Sequence, residues 1–215
     1  MAGKFDIVKL ASFGKDELVS LVLQLQEEKM EIAKNLVDLN RNLESRVVAL
    51  ERSQFLYEQY GRRESLEITG IPKRVDQNAL EDEVIKIFNE AKVEVHGKKL
   101  EARDIAACHR IGRKGETTIC KFVSRKFAYA GLVNGKNLKG SKLYGDGNIF
   151  INNSLCREFS HYGYLIRKLK KSKAILGYTQ KHGVYHIKRI GQDDFVEISH
   201  VSDFKKYGLD VNSIE

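Results

Sequence analysis

The 215-residue sequence has one proline, no tryptophan and three cysteines. Average usage would put about ten prolines in a chain of this length. Pro-rich linkers and Pro/Ser tails are therefore excluded, and regular elements are expected through most of the length. Cys108, Cys120 and Cys156 cannot pair without leaving one over, which points to a reducing compartment. No apolar run approaches the roughly 18 residues of a membrane span. The opening MAGKFDIVKL lacks the continuous apolar stretch of a secretory signal. A soluble protein of the cytoplasm or nucleus is the expectation.

What is abundant is charge, with 37 Lys and Arg against 29 Asp and Glu, net +8. Such a balance favours polyanionic partners, nucleic acid before an acidic membrane surface. The excess is uneven: residues 1–60 carry net −2, 61–102 net −1, 103–189 net +15 and 190–215 net −4. A charge run is usually a solvated face. Nineteen bases against four acids over 103–189 is more than that, because self-repulsion on this scale opposes compaction unless a partner offsets it.

From Leu18 to Tyr57 there is neither glycine nor proline. A stripe recurs at steps of three and four: Leu18, Val22, Leu25, a polar Lys29, Ile32, Leu36, Leu39, Leu43, Val47, Leu50, then Gln54 and Tyr57. That narrow stripe is a coiled-coil seam, with a stutter across Leu39, Leu43 and Val47. A forty-residue helix would be about 60 Å long, too long to fold back on a small domain. Arg46-Val47-Val48-Ala49-Leu50-Glu51 resembles the trimer signature of short parallel coiled coils, where Arg of one helix pairs with Glu of its neighbour. The oligomerisation residues expected are Ile32, Leu36, Leu39, Leu43, Arg46, Val47, Leu50 and Glu51, in a homotrimer, with a dimer as second choice.

Beyond Tyr60 the pattern shortens. Strands are expected at Ser65–Pro72, Asp104–Ile111, Thr117–Val123 and Ile149–Ile151. Helices are expected at Gln77–Val93 and from a Ser124 cap to Val133, with Phe127, Tyr129 or Ala130, and Leu132 inward. This βαββαβ order is the ferredoxin-like arrangement of RNA-recognition (RRM) modules. The usual stacking signature is missing, since the first strand, LEITGI, has no aromatic and the third reads TTICKFVSR. Backbone contacts by Arg and Lys are expected in place of base reading on the sheet. A basic helix at Ser154–Lys171, strands at Ala174–Thr179, Val184–Ile190 and Phe195–Ile198, and a last helical turn at Ser202–Tyr207 complete the chain. The domains read as 1–16 N-terminal segment, 17–60 coiled coil, 61–152 RRM-like, 153–207 basic C-terminal domain and 208–215 tail. The fold class is α+β.

Enzymatic motifs fail on inspection. Gly131 to Lys136 is one residue short of a phosphate loop, lacks the following Ser or Thr, and follows a helix. His182 and His186 have metal-ligand spacing but no paired cysteines beside them. Cys108 and His109, adjacent in a strand, point to opposite faces. No catalytic residue, metal or cofactor is expected.

Three stretches, taken in order, carry a family resemblance. Tyr60-Gly61-Arg62-Arg63-Glu64-Ser65-Leu66-Glu67-Ile68-Thr69-Gly70-Ile71-Pro72 follows the heptads directly. Cys108-His109-Arg110-Ile111 precedes a basic loop and Cys120-Lys121-Phe122. Ile149-Phe150-Ile151-Asn152 leads to the basic helix ending Leu165-Ile166-Arg167-Lys168-Leu169-Lys170, then Val184-Tyr185-His186-Ile187-Lys188. This ordered set, over roughly residues 30–207, resembles the first-open-reading-frame proteins of LINE retrotransposons. The last unit resembles the C-terminal domain of the related baculovirus few-polyhedra (FP) proteins.

The resemblance implies a trimer whose central and C-terminal domains clamp single-stranded RNA or DNA, with nucleic-acid chaperone activity in a ribonucleoprotein. It carries contact roles to Arg110, Arg113, Lys114, Arg157 and Tyr178. The charge distribution adds Arg62, Arg63, Lys121, Arg125, Lys126, Arg167, Lys168, Lys171, Tyr185 and Lys188, where rings interleave with cations and bases could stack. The alternative is a coiled-coil adaptor or viral-type structural protein whose basic domain binds an acidic protein or a membrane surface.

Overall fold

A computed structural model describes residues 14–112, 115–145 and 148–211. Arg113 and Lys114 lie outside the described residues. The chain is α+β and divides into two compact units, Met1–Leu50 and Glu51–Glu215.

Helix α1 spans Lys15–Gly61. Within the first unit it leaves the heptad stripe uncovered, with Ile32, Leu36, Leu39, Leu43, Val47 and Leu50 all exposed. Among the described residues no helix is long and apolar enough to cross a membrane.

The second unit has two cores. The first is built on a four-stranded antiparallel sheet of β1 (Ser65–Thr69), β4 (Ile105–Ile111), β5 (Thr117–Phe122) and β6 (Phe150–Asn153), in the order β4-β5-β1-β6. Leu66 and Ile68 of β1 and Cys120 and Phe122 of β5 point into it, following the period of two. Helices α2 (Leu80–Glu90) and α3 (Arg125–Asn134) cover that face with Leu80, Val84, Ile87, Phe88, Phe127 and Ala128. Gly131 of α3 is a close-approach site: a Cβ there would sit 2.7 Å from the Phe88 ring. The inward face of α3 is thus Phe127, Ala128 and Gly131, with Ala130 and Leu132 packed at its margin; of the alternatives Tyr129 and Ala130, it is Tyr129 that points out. The expected single helix over 77–93 is a 3₁₀ turn at Gln77–Ala79, capped by the Asp76 carboxylate, followed by α2. A small hairpin of β2 (Glu94–Val95) and β3 (Lys98–Lys99), turning through His96 and Gly97, was not expected.

The second core lies between α4 (Arg157–Lys171) and the antiparallel sheet of β7 (Ile175–Lys181), β8 (Val184–Arg189) and β9 (Phe195–Ile198). A short α5 (Ser202–Lys206) adds Phe204. Phe159, Tyr162, Leu165, Ile166 and Leu169 give α4 its buried stripe. The helix starts at Arg157, three residues later than the spacing suggests, because Gln59 accepts the Cys156 N–H and holds 154–156 extended.

The end of α1 belongs to this core. Phe55 and Leu56 pack on it and Gln59 is buried. Arg52 donates to Asp203 at 2.8 Å and to Ser199 at 2.9 Å. Asp203 is buried and also accepts the Ser199 and His200 N–H groups, so its charge is matched on all sides. Over its last turns the helix thus has a packed face, formed by Arg52, Phe55, Leu56 and Gln59. At roughly 100° per residue, Gln54 and Tyr57 fall on the opposite side, and Tyr57 is 82% exposed.

Glu51 is also engaged within the chain. His200 Nδ1 accepts the Ser202 N–H (3.1 Å), so Nε2 carries the proton and donates to Glu51 (2.9 Å). The trimer-signature pairing of Glu51 thus has an internal competitor.

Candidate nucleic-acid interface

Ser124 caps α3 by accepting the Lys126 N–H, and the first turn then presents Arg125 and Lys126 to solvent with no acid beside them. The helix dipole disfavours cations at this end. Such a local conflict is the kind that functional surfaces retain. Both side chains line a groove of about 930 Å³ bounded by α3, the β2–β3 hairpin, the end of α1 and the β7–β8 turn.

The groove has a basic rim and a partly apolar wall. Arg63, Arg125, Lys126 and Lys181, with His96 and His182, face one acid, Glu94. Val95, Tyr129, Leu132 and Val133 make the apolar side. Lys126 Nζ donates to His96 Nε2 at 3.1 Å. Arg63 stacks over Tyr60, 4.5 Å from the ring centroid, and its Nε is buried with no hydrogen-bond partner.

A set of amides holds the back of the groove. Gln59 Nε2 donates to Ser154 O (3.0 Å) while Gln59 Oε1 accepts Cys156 N–H (3.0 Å). Asn153 donates to Gln180 Oε1 (2.7 Å), and Gln180 Nε2 donates to Gly183 O (3.2 Å). The last strand of the first sheet, the first hairpin of the second and the end of α1 are thereby fastened together. Gly183 permits this closeness: its φ is +89°, and a Cβ would stand 2.3 Å from Gln59 Nε2.

The open face of the four-stranded sheet is a poorer surface for phosphate. Its central row runs His109, Ile119, Glu67 and Asn152, with a carboxylate at its middle; the exposed Phe150 ring lies one row away, opposite Thr69. Burial pushes the Glu67 carboxyl above its ordinary range, only partly offset by the Leu155 N–H and the Arg62 charge. Lys121 is exposed on this face beside Ser65 and Ala107, away from the groove residues.

The expected contact residues therefore separate. Arg63, Arg125 and Lys126 come together in the groove. Arg157, Arg167 and Lys171 are exposed on α4, and Lys168 lies 4.7 Å from the Tyr164 ring. Tyr178 is 41% exposed at the sheet edge, edge-on to Tyr185 at 6.2 Å.

Four candidates are committed elsewhere. Arg62 pairs with Glu58 at 2.8 Å, and Lys188 with Asp193 at 3.7 Å. Arg110 spends its guanidinium on the carbonyls of Ile71 (3.4 Å), Pro72 (2.6 Å), Val75 (3.3 Å) and Gly115 (3.0 Å). Tyr185 is only 5% exposed, on the inward face it shares with Ile187, so its ring is not a stacking platform. Burial raises its phenol above the ordinary range, while Arg167 beside it pulls the other way.

Tyr129, His96, Lys181 and His182 are groove residues that the sequence reading missed. The signals were Arg125-Lys126 followed one turn later by Tyr129, and the His96-Gly97 and His182-Gly183 turns.

Among the described residues one trio has metal-like closeness: Glu58, Cys156 and Glu158 bring ligand atoms within 4.8 Å. Burial raises the Cys156 thiol above its ordinary value, which keeps it protonated, and Glu58 is already paired with Arg62. Comparison of the chain with protein-family models and with curated proteins found no match.

Proposed function

We propose that this chain is a single-stranded nucleic-acid binding protein, RNA in the first instance. It would act as a coiled-coil homotrimer with nucleic-acid chaperone activity, after the manner of LINE first-open-reading-frame proteins. The observation that carries the reading is the groove, where Arg63, Arg125, Lys126 and Lys181 converge on an apolar wall opposite a single carboxylate. Cations hold phosphates, and the wall accepts bases that a duplex would keep stacked. The sheet order β4-β5-β1-β6 with two helices on one face supports a ferredoxin-like, RRM-like domain. The uncovered heptad stripe from Ile32 to Leu50 supports self-association, which would raise avidity by presenting several grooves to one strand.

Fluorescence anisotropy with a labelled oligouridine tests the binding. Affinity should fall steeply with salt, and reversing Arg125 and Lys126 to Glu should weaken it at least tenfold. Reversal of Arg62 and Lys188, which are paired within the chain, should do much less. Equal losses from the two pairs would refute the placement. Light scattering should give about three times 24.5 kDa, and Leu39→Glu with Leu43→Glu should return the mass to one chain. A monomeric parent at micromolar concentration would end the trimer claim. If acidic peptide or anionic vesicles displace oligouridine at equal charge, the adaptor reading replaces this one.

A further inference from the structure

Tyr129 is an unusual residue for its position. It sits on a helix that buries Phe127, Ala128 and Gly131, yet its own ring is 65% exposed on the wall of the groove. Among the described residues its hydroxyl makes no hydrogen bond and its ring stacks on no other. Arg125 and Lys126 lie one turn before it on the same helix, and Val133 one turn after it. The β2–β3 hairpin faces it with Val95 and His96, and the Lys126–His96 contact holds the ammonium at the groove's edge. A flat exposed ring one helical turn from two cations is the combination of stacking face and phosphate grip that single-strand binding grooves use.

We infer that Tyr129 is the base-stacking platform of the groove, the residue by which the site takes single strands in preference to duplexes. The inference rests on the nucleic-acid reading above and adds what a phosphate grip alone does not supply. Arg125, Lys126, Lys181 and Arg63 would hold a duplex backbone as well as a single-stranded one. Only an unstacked base can lie on the Tyr129 ring, and Val133 and Val95 continue the apolar wall beside it. No base identity is read, because stacking uses the face that every base has.

The chain has no tryptophan, so Tyr129→Trp creates a single-tryptophan reporter at the site. Its emission should be quenched by oligouridine or oligo(dT) and unchanged by an abasic strand of equal length or by heparin. In anisotropy, Tyr129→Ala should weaken oligo(dT) binding about tenfold, with little change for a duplex of the same charge. Tyr129→Phe should restore it. An exposed ring can be removed without disturbing the fold, and near-ultraviolet circular dichroism checks that. Wild-type protein that binds oligo(dT) while Tyr129→Ala binds equally well overturns this inference and leaves the nucleic-acid reading standing. Quenching by heparin or by the abasic strand overturns it too, since the signal would then report charge. Wild-type protein that binds no single strand at all removes the underlying reading as well.

Discussion

The Gly183–Gln59 contact allows a quantitative test of how the groove is held. Gly183 has φ +89°, and an added Cβ would meet Gln59 at Nε2 (2.3 Å), Cδ (2.5 Å) and Cγ (2.8 Å). Because Cγ is included, flipping the amide does not relieve the overlap, and the whole side chain must leave. Gly183→Ala thus carries a backbone cost of about 1–2 kcal/mol for a positive φ. Displacing Gln59 also strips partners from Ser154 O and Cys156 N–H, at about 1–3 kcal/mol for each buried group. The total, about 3–8 kcal/mol, compares with a whole-domain stability of about 5–15 kcal/mol. Urea melts followed by near-ultraviolet circular dichroism would report it without interference from the long helix. In a Gln59→Ala background the same substitution should cost only the backbone share. A Gly183→Ala protein within about 1 kcal/mol of the parent, or an equal cost in both backgrounds, refutes the account of this joint.

Two further outcomes are expected. Glu67 has a folded-state pKa above the ordinary 4.5, mainly through burial, so the folded state binds the proton more tightly than the unfolded one. Its charge then destabilises the fold increasingly as pH rises from that ordinary value through the folded one. Glu67→Gln should raise the melting temperature at neutral pH, with a gain that shrinks below the ordinary carboxyl pKa; a gain that grows with acid refutes the assignment. Among the thiols, Cys108 is pulled below its ordinary range by the facing Cys120 sulfur, while Cys120 and Cys156 are pushed up. Iodoacetamide should therefore modify half-buried Cys108 first, as peptide mass spectrometry would show; equal rates at Cys156 would contradict this.

Local pattern made much of the fold legible. The period of two in Leu66 and Ile68, the Ser124 cap and the stripe from Phe159 to Leu169 each anticipate what is observed. The failures came where distant partners decide. Nothing near Cys156 announces that Gln59 will accept its N–H and delay α4. Phe55 and Leu56 look like off-seam residues until the second core covers them. The β2 and β3 strands are two residues each, too short for any periodicity to register. Tyr185 was legible and was misread: strict alternation with Ile187 already assigns it to the inner face. Charge density alone could not say which cations are spent within the chain, as Arg62, Arg110 and Lys188 are.

Arg110 shows what that distinction means in practice. Its guanidinium gathers the carbonyls of 71, 72 and 75 against that of 115, tying the segment after β1 to the loop after β4. Lysine, with one compact head group, cannot serve four acceptors at those angles. On the proposed nucleic-acid reading, a substitution scan scored only on bound oligonucleotide would rank Arg110 beside Arg125, though the first is a rivet of the fold. Thermal stability measured on the same variants would separate the two, sorting basic residues free to meet a ligand from those that keep the surface in shape.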